Sequence, residues 1–403
     1  MKMIYLDNAS TTQVDNRVID AMMPFLTESY GNAGTLYELG RKSADAIMQA
    51  RKHVADLVHA EPSQIIFTSG GSEANNMVFS GLRDYLLANN KTHIVTTKIE
   101  HDSILHIVEK MCNTQYVDEK TNIKDGFDAT YIFPIFNSCV CPEDIEDAIT
   151  GNAGTGLVSV MHTNNETGIV NNVAAIGAIC KKHNVLFHTD CVQAAGCSEL
   201  NVDEIGCDFL SISSHKIHGV KGVGALYVRD KALLSPLIYG GRSQEYGLRG
   251  GTENTAGIVA FGEACRIAKE NFLNDVDYIT SLRKMLYDGI KDEMSSKGLG
   301  DIFHVNGNIN FDEHGKTFNA RFDGVDAETL LMLLDTRGIC VSAGSACTSH
   351  EAKPSHVLLA LGIDEEDIRN SIRFSVSRMN TNKEIIQASK IIADCVSMLR
   401  GKH

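Results

Sequence analysis

Six prolines in 403 residues, and no long polar tract, leave little material for an extended disordered linker. Long apolar runs are missing too. None approaches the roughly 18 consecutive apolar residues that a spanning helix needs. Met1 to Leu6 carries no apolar segment of signal-peptide length before Asp7, Asn8 and the Ser10-Thr11-Thr12 run. Neither a membrane span nor a secretory leader is expected. Basic residues are outnumbered, 37 Lys and Arg against 51 Asp and Glu, for a net charge of −14. Phosphate-backbone binding needs clustered Lys and Arg. The overall balance opposes a nucleic-acid partner, and the basic stretch Arg41 to His53 is interrupted by acids such as Asp45.

Eleven cysteines, an odd number, lie scattered along the chain. With no leader, they point to a reducing cytoplasm in which most are buried thiols. Cys139-Val140-Cys141 has no second pair at zinc-ribbon distance, and Cys180 with His183 falls short of the usual four-ligand set. No metal is expected.

A hydrophobic fraction of 43% with 22% charged residues fits an ordinary globular protein. The length exceeds that of a usual single-core domain. Two domains are expected, residues 13–255 and 256–403, with residues 1–12 joined to the smaller second one. Residues 65–68, 93–97, 130–133, 157–162, 185–190, 209–213 and 224–228 read as buried strands. Helical stretches lie between them. Ile47, Ala50, Val54, Leu57 and Val58 form one buried stripe at three-and-four spacing, and further helices fall near 73–89, 101–112 and 173–183. Such alternation predicts an α/β fold whose large, mostly parallel sheet is covered by helices on both faces. Past residue 255 the rhythm becomes that of a smaller α+β unit. It has a helical region over 255–297, strands near 303–311, 317–322 and 371–376, and helices near 326–337, 355–361 and 382–400. The polar segment Asp118 to Asp128 reads as an exposed loop.

Three motifs carry chemistry. Thr68-Ser69-Gly70-Gly71-Ser72-Glu73 follows a strand and opens a helix. Its free backbone N–H groups and dipole suit an anion; a capped helix after a tight turn is the plainer reading. His188-Thr189-Asp190-Cys191-Val192-Gln193 begins at another strand end, where open α/β sheets bind ligands. There Asp190 either caps the strand or holds a pyridinium nitrogen protonated. In Ser213-Ser214-His215-Lys216, Lys216 is either a surface lysine or a desolvated amine fit for Schiff-base chemistry. Anion site, acid and lysine on successive strand ends together favour a pyridoxal phosphate site. Farther on, Val341 to Ser349 is a run of small residues around one thiol, Cys347. Small side chains bury little area, so this loop is expected to be mobile.

Taken in order, these motifs resemble the cysteine desulfurases of the NifS/IscS type, within the fold-type I pyridoxal phosphate enzymes. The likeness runs through Tyr5 to Thr12, Thr68 to Asn76, Glu100-His101, Met161 to Gly168, the Asp190 and Lys216 motifs, Arg249 to Thr252, Ser345 to Ser349 and Ser371 to Ser375. It implies removal of sulfur from L-cysteine, with alanine as product and a persulfide left on Cys347. By the same resemblance Lys216 carries the cofactor, Asp190 pairs with its ring nitrogen, and His101 stacks on the ring and moves protons. Asn165 and Gln193 bond the ring's phenolate oxygen or nearby substrate groups. Gly71, Ser72, Ser213 and His215 hold the phosphate, with Thr252 reaching in from the second subunit of a homodimer. Arg373 binds the substrate carboxylate, a task suited to a planar bidentate donor. The implied acceptor is an iron–sulfur scaffold or thiolation protein.

Some residues depart from the family pattern. Gly31 to Tyr37 stands where the family has Gly-Asn-Pro-Ser-Ser followed by a His, which puts substrate handling in question. Asn8-Ala9-Ser10 reverses the usual order of small residues, and Cys191 replaces an Ala. Rival readings are another enzyme of this fold, such as a selenocysteine lyase or an aminotransferase, and a non-enzymatic sulfur-transfer scaffold. A plain aminotransferase has no need of Cys347, and a scaffold has no need of Lys216, Asp190, His101, Cys347 and Arg373 together.

Overall fold

The structure, a computed structural model, describes residues 3–117, 124–343 and 354–401. Its centre is a seven-stranded sheet. The strands, in chain order, are β1 (Ile65–Thr68), β2 (His93–Thr97), β3 (Asp128–Ile132), β4 (Thr155–Ser159), β5 (Leu186–Asp190), β6 (Phe209–Ser213) and β7 (Gly224–Val228). In space they run β1-β7-β6-β5-β4-β2-β3. All neighbours are parallel except β7, which is antiparallel to both β1 and β6.

Alternation along each strand splits its side chains between two helical layers. Ile65, Phe67, Val158, Leu210, Ile212 and Tyr227 face one layer, which includes helices α1 (Glu38–Val58), α4 (Pro142–Gly151), α5 (Val173–His183) and α6 (Thr255–Glu270). Ile66, Leu157, Phe209 and Leu226 face the other, built on α2 (Gly71–Ala88) and α3 (Asp102–Cys112). Strands buried on both faces are mostly apolar, and β1, β6 and β7 are wholly buried, whereas the edge strand β3 is half-buried to exposed.

The remaining chain builds a second core. Helices α7 (Phe272–Ser296), α8 (Ala327–Thr336) and α9 (Asn382–Leu399) pack on a four-stranded sheet. Its strands are β8 (Phe303–Asn306), β9 (Thr317–Phe322), β10 (Ser342–Ala343) and β11 (Ser371–Ser375), in the order β8-β9-β11-β10. Ile4 and Leu6 join this core, and Ile4–Tyr5 pairs in parallel with Ile339–Cys340.

Past residue 255, Ile258, Phe261, Ala264 and Cys265 of α6 pack into the large core, as do Val357, Leu358 and Ile368. One detail differs from the sequence reading. Lys124–Gly126, within the polar segment, pairs with Gln115–Val117 just before it as an antiparallel ribbon rather than leaving a plain loop. Residues 118–123 of that segment lie outside the described residues.

Candidate active site

The carboxyl ends of β1, β5 and β6 open onto one cavity of about 330 Å³. Its walls include Gly71, Ser72, Asn75, His101, Asn165, Asp190, Gln193, Ser213, His215, Lys216 and Arg373, with Ala9 and Ser10 from the N-terminal segment. Ligand sites of about 300–1,000 Å³ at such strand ends are the rule in α/β sheets. Gly70, between β1 and α2, has a φ of 154°, a conformation that side chains other than hydrogen resist. A Cβ on Gly71 would stand 2.6 Å from Val192 Cγ2. Both glycines let the first turn of α2 come down onto the strand-end loop of β5, with its backbone N–H groups beside the cavity.

Asp190 ends β5 and is nearly buried. Its Oδ2 accepts from Asn75 Nδ2 at 2.8 Å and its Oδ1 from Val192 N at 2.9 Å. Lys216 follows β6 and donates through Nζ to the carbonyls of Ala9 at 2.5 Å and Ser10 at 2.9 Å. Its pKa is lowered to about 7, first by burial, then by the Lys316 and Arg373 charges, against the pull of Asp190 and Asp7. A lysine in that condition is a nucleophile near neutrality. Neighbouring His215 is pushed down to about 4 by burial and by the same cluster of lysines, so it offers a neutral ring.

Arg373, on β11 of the small sheet, also lines the cavity and bonds to the large unit. Its Nη1 donates to the Asn165 carbonyl at 3.0 Å, and its Nη2 to Asp7 Oδ1 at 2.9 Å and Ser10 Oγ at 2.6 Å. Asp7 is therefore its acid partner. The Arg373 Nε is buried with no partner among the described residues. His101 caps α3, its Nδ1 accepting from Ser103 N at 3.1 Å, while its ring also lines the cavity. Capping and a place in the site are thus compatible.

Thr252, expected to serve a second subunit's site, is exposed and lines none of this cavity's wall; Cys347 lies outside the described residues, as does the rest of 344–353. Conversely, Asn75, Asp7 and Lys316 were not singled out in the sequence. Asn75 was findable: it stands four residues after Gly71, on the same face of α2. Asp7 and Lys316 act on the Lys216 amine from positions distant in the sequence, which no local spacing reveals.

The aminotransferase class-V family profile matches residues 4–387. Cysteine desulfurase IscS of Clostridium botulinum is 40% identical over 403 residues, covering 99% of this chain and 96% of the relative. The chain belongs to the class V aminotransferases, in the NifS/IscS group. Among solved structures, a NifS-like protein shares 32% identity at a TM-score of 0.86, covering 98% of this chain and all of its own. SspA in complex with cysteine shares 33% identity at a TM-score of 0.75, covering 94% of this chain and 99% of its own.

Pyridoxal phosphate is the cofactor of the NifS/IscS group, and the cavity suits it. Asn165 Oδ1, Gln193 Oε1 and Asn75 Oδ1 are buried acceptors left without a hydrogen bond among the described residues, each on a side chain that lines the cavity. Buried polar atoms are seldom left unpaired unless something else satisfies them. The α2 N-terminus with Ser72 and Ser213 offers the donors a phosphate needs, Asp190 a carboxylate for a protonated ring nitrogen, and Lys216 a nucleophilic amine.

Proposed function

We propose that the protein is a pyridoxal phosphate-dependent cysteine desulfurase that moves the sulfur of L-cysteine onto Cys347, with alanine as the second product. The observation that carries this is the shared cavity: a desolvated Lys216 amine, a fixed Asp190 carboxylate and the Arg373 guanidinium line one space. When bound, pyridoxal phosphate supplies an electron sink that labilises bonds at the substrate Cα and weakens its carbon–sulfur bond. Lys216 would hold the cofactor, Asp190 and Asn75 its ring nitrogen, and Gly71, Ser72, Ser213 and His215 its phosphate. Asn165 and Gln193 would satisfy its remaining ring oxygen, and His101 would cover its ring.

The chain's own residues then do the following. Arg373 fixes the substrate carboxylate. Lys216, neutral near pH 7, takes and returns the proton at the substrate Cα. Cys347, as thiolate, attacks the substrate sulfur; the carbon–sulfur bond breaks with its electron pair left on the substrate carbon, which takes up a proton to become the methyl of alanine, and the sulfur stays on Cys347 as a persulfide. Its loop of small residues suits a thiol that must visit both the cavity and an outside acceptor. That acceptor is an iron–sulfur scaffold or thiolation protein in this reading, and the working form is a cytoplasmic homodimer in which Thr252 serves the second subunit's site. A large unit and a smaller one joined by residues 1–12 remain the proposed division, with the boundary moved to the α6–α7 junction. Among the described residues no helix is long and apolar enough to cross a membrane.

The test incubates the purified protein with L-cysteine and a reductant and measures alanine and sulfide. Wild type should yield both. Cys347→Ser should keep the yellow bound cofactor and lose sulfide release; Lys216→Ala should carry no covalently attached cofactor. Full sulfide yield from Cys347→Ser would contradict the persulfide route.

A further inference from the structure

Lys316 stands immediately before β9, its carbonyl accepting from Val376 N at 2.9 Å. It is only 6% exposed, and its Nζ has no hydrogen-bond partner among the described residues. A buried ammonium without a partner is costly, so its retention asks for a use. It lines a second cavity, of about 30 Å³, together with Lys216, His218, Asp275 and Arg378. Lys216 lines both cavities and so forms part of the wall between them, with Lys316 on the side away from the cofactor space.

The other charges around this wall are largely spoken for. Asp275 lies 3.5 Å from Arg378 Nε, and Arg378 Nη2 also meets Asp15 Oδ2 at 2.6 Å. Arg373 is held by Asp7 at 2.9 Å. His218, kept neutral by burial, binds the Gln13 carbonyl at 2.8 Å. On the far side of Lys316 a smaller cavity holds Gln193, Cys197 and His314, with no carboxylate in its lining. Of the charges facing Lys216, Asp190 and Asp7 favour its protonated form, whereas Arg373 and Lys316 oppose it.

We propose that Lys316 is a positioning residue for Lys216, an unpaired ammonium walled in behind the Lys216 side chain that disfavours a second positive charge there. It touches neither substrate nor cofactor and acts through the Lys216 nitrogen. Arg373 could do this only in part, because its charge is balanced by Asp7. The proposal rests on the reading of Lys216 as the residue that carries the cofactor.

Holoenzymes of wild type, Lys316→Met, Lys316→Gln and Lys316→Arg are titrated with pH while the visible absorbance of the bound cofactor is followed. Loss of the charge should raise the midpoint by about one pH unit in the Met and Gln variants. The Arg variant should remain at the wild-type value, a rescue that packing alone would not reproduce. The acid limb of the kcat/KM profile should move with the absorbance midpoint. Should the Met variant fail to fold, the Gln and Arg variants decide the matter. Unchanged midpoints in Met and Gln variants would overturn the proposal. Borohydride reduction and peptide mass mapping of each protein separate this from a wider failure: a wild-type cofactor found on a residue other than Lys216 would overturn the site assignment itself.

Discussion

Asn75 Nδ2 donates to Asp190 Oδ2 across 2.8 Å, linking the helix that follows the glycine turn to the strand end that carries the acid. The same amide nitrogen reaches Ser103 Oγ at 2.9 Å, so three elements meet at one side chain. Asp190, which lines the cavity, is thereby held in one rotamer. A hydrogen bond to a charged group contributes about 1.5–3 kcal/mol. Asn75→Ala should therefore weaken cofactor binding by about tenfold to a hundredfold, measured by titrating the cofactor-free protein. Affinity equal to wild type would show that Asp190 needs no such support.

The Lys216 amine predicts a pH dependence of cofactor loading. Only its neutral form attacks an aldehyde. Its pKa, lowered from 10.5 to about 7, leaves a large neutral fraction at physiological pH. The rate of covalent attachment to cofactor-free protein should rise with pH through about 7 and then level. A rate still climbing steeply above pH 9 would indicate an ordinary, solvated lysine.

Arg373 presents a fork whose two outer nitrogens are already fixed by Asn165, Asp7 and Ser10. Arg373→Lys keeps the charge and loses the planar geometry. KM for L-cysteine should rise by about tenfold to a hundredfold, from the loss of one charge-assisted bond, while kcat changes less. Steady-state kinetics on alanine release reads both. A fall in kcat with KM unchanged would place Arg373 away from the substrate carboxylate.

Much of this site is legible in the sequence because parallel sheets bring strand ends together. The Thr68, Asp190 and Lys216 motifs each follow a short apolar run, and the topology brings those runs' ends to one edge of the sheet, with β7 between the first and the other two. What the sequence hides are contacts between its two ends. Asp7 meets Arg373, and Ala9 meets both Gln193 and Lys216, across separations of up to 366 residues. Helices α6 and α7 read in the sequence as one helical region over 255–297, and only tertiary packing assigns the first to the large core and the second to the small one. The paired ribbon at 115–117 and 124–126 has the polarity of a loop, and pairing rather than pattern defines it.

Glu100, beside His101, is fully buried and accepts from Thr97 Oγ1 at 2.7 Å and from Met161 N at 2.9 Å. Burial raises its pKa from 4.5 to about 8, outweighing those two bonds. Between these two values the folded protein keeps a proton that the unfolded chain releases, so this group's contribution to stability falls as pH rises. Glu100→Gln keeps the accepting oxygen and the shape but cannot ionise. The variant should match wild type near pH 5 and exceed it increasingly toward pH 8, by a few degrees in Tm. Glu166, also raised by burial, is present in both proteins and cancels in the difference. Parallel Tm curves across that range would mean that the Glu100 carboxylate is as well solvated in the fold as in the open chain.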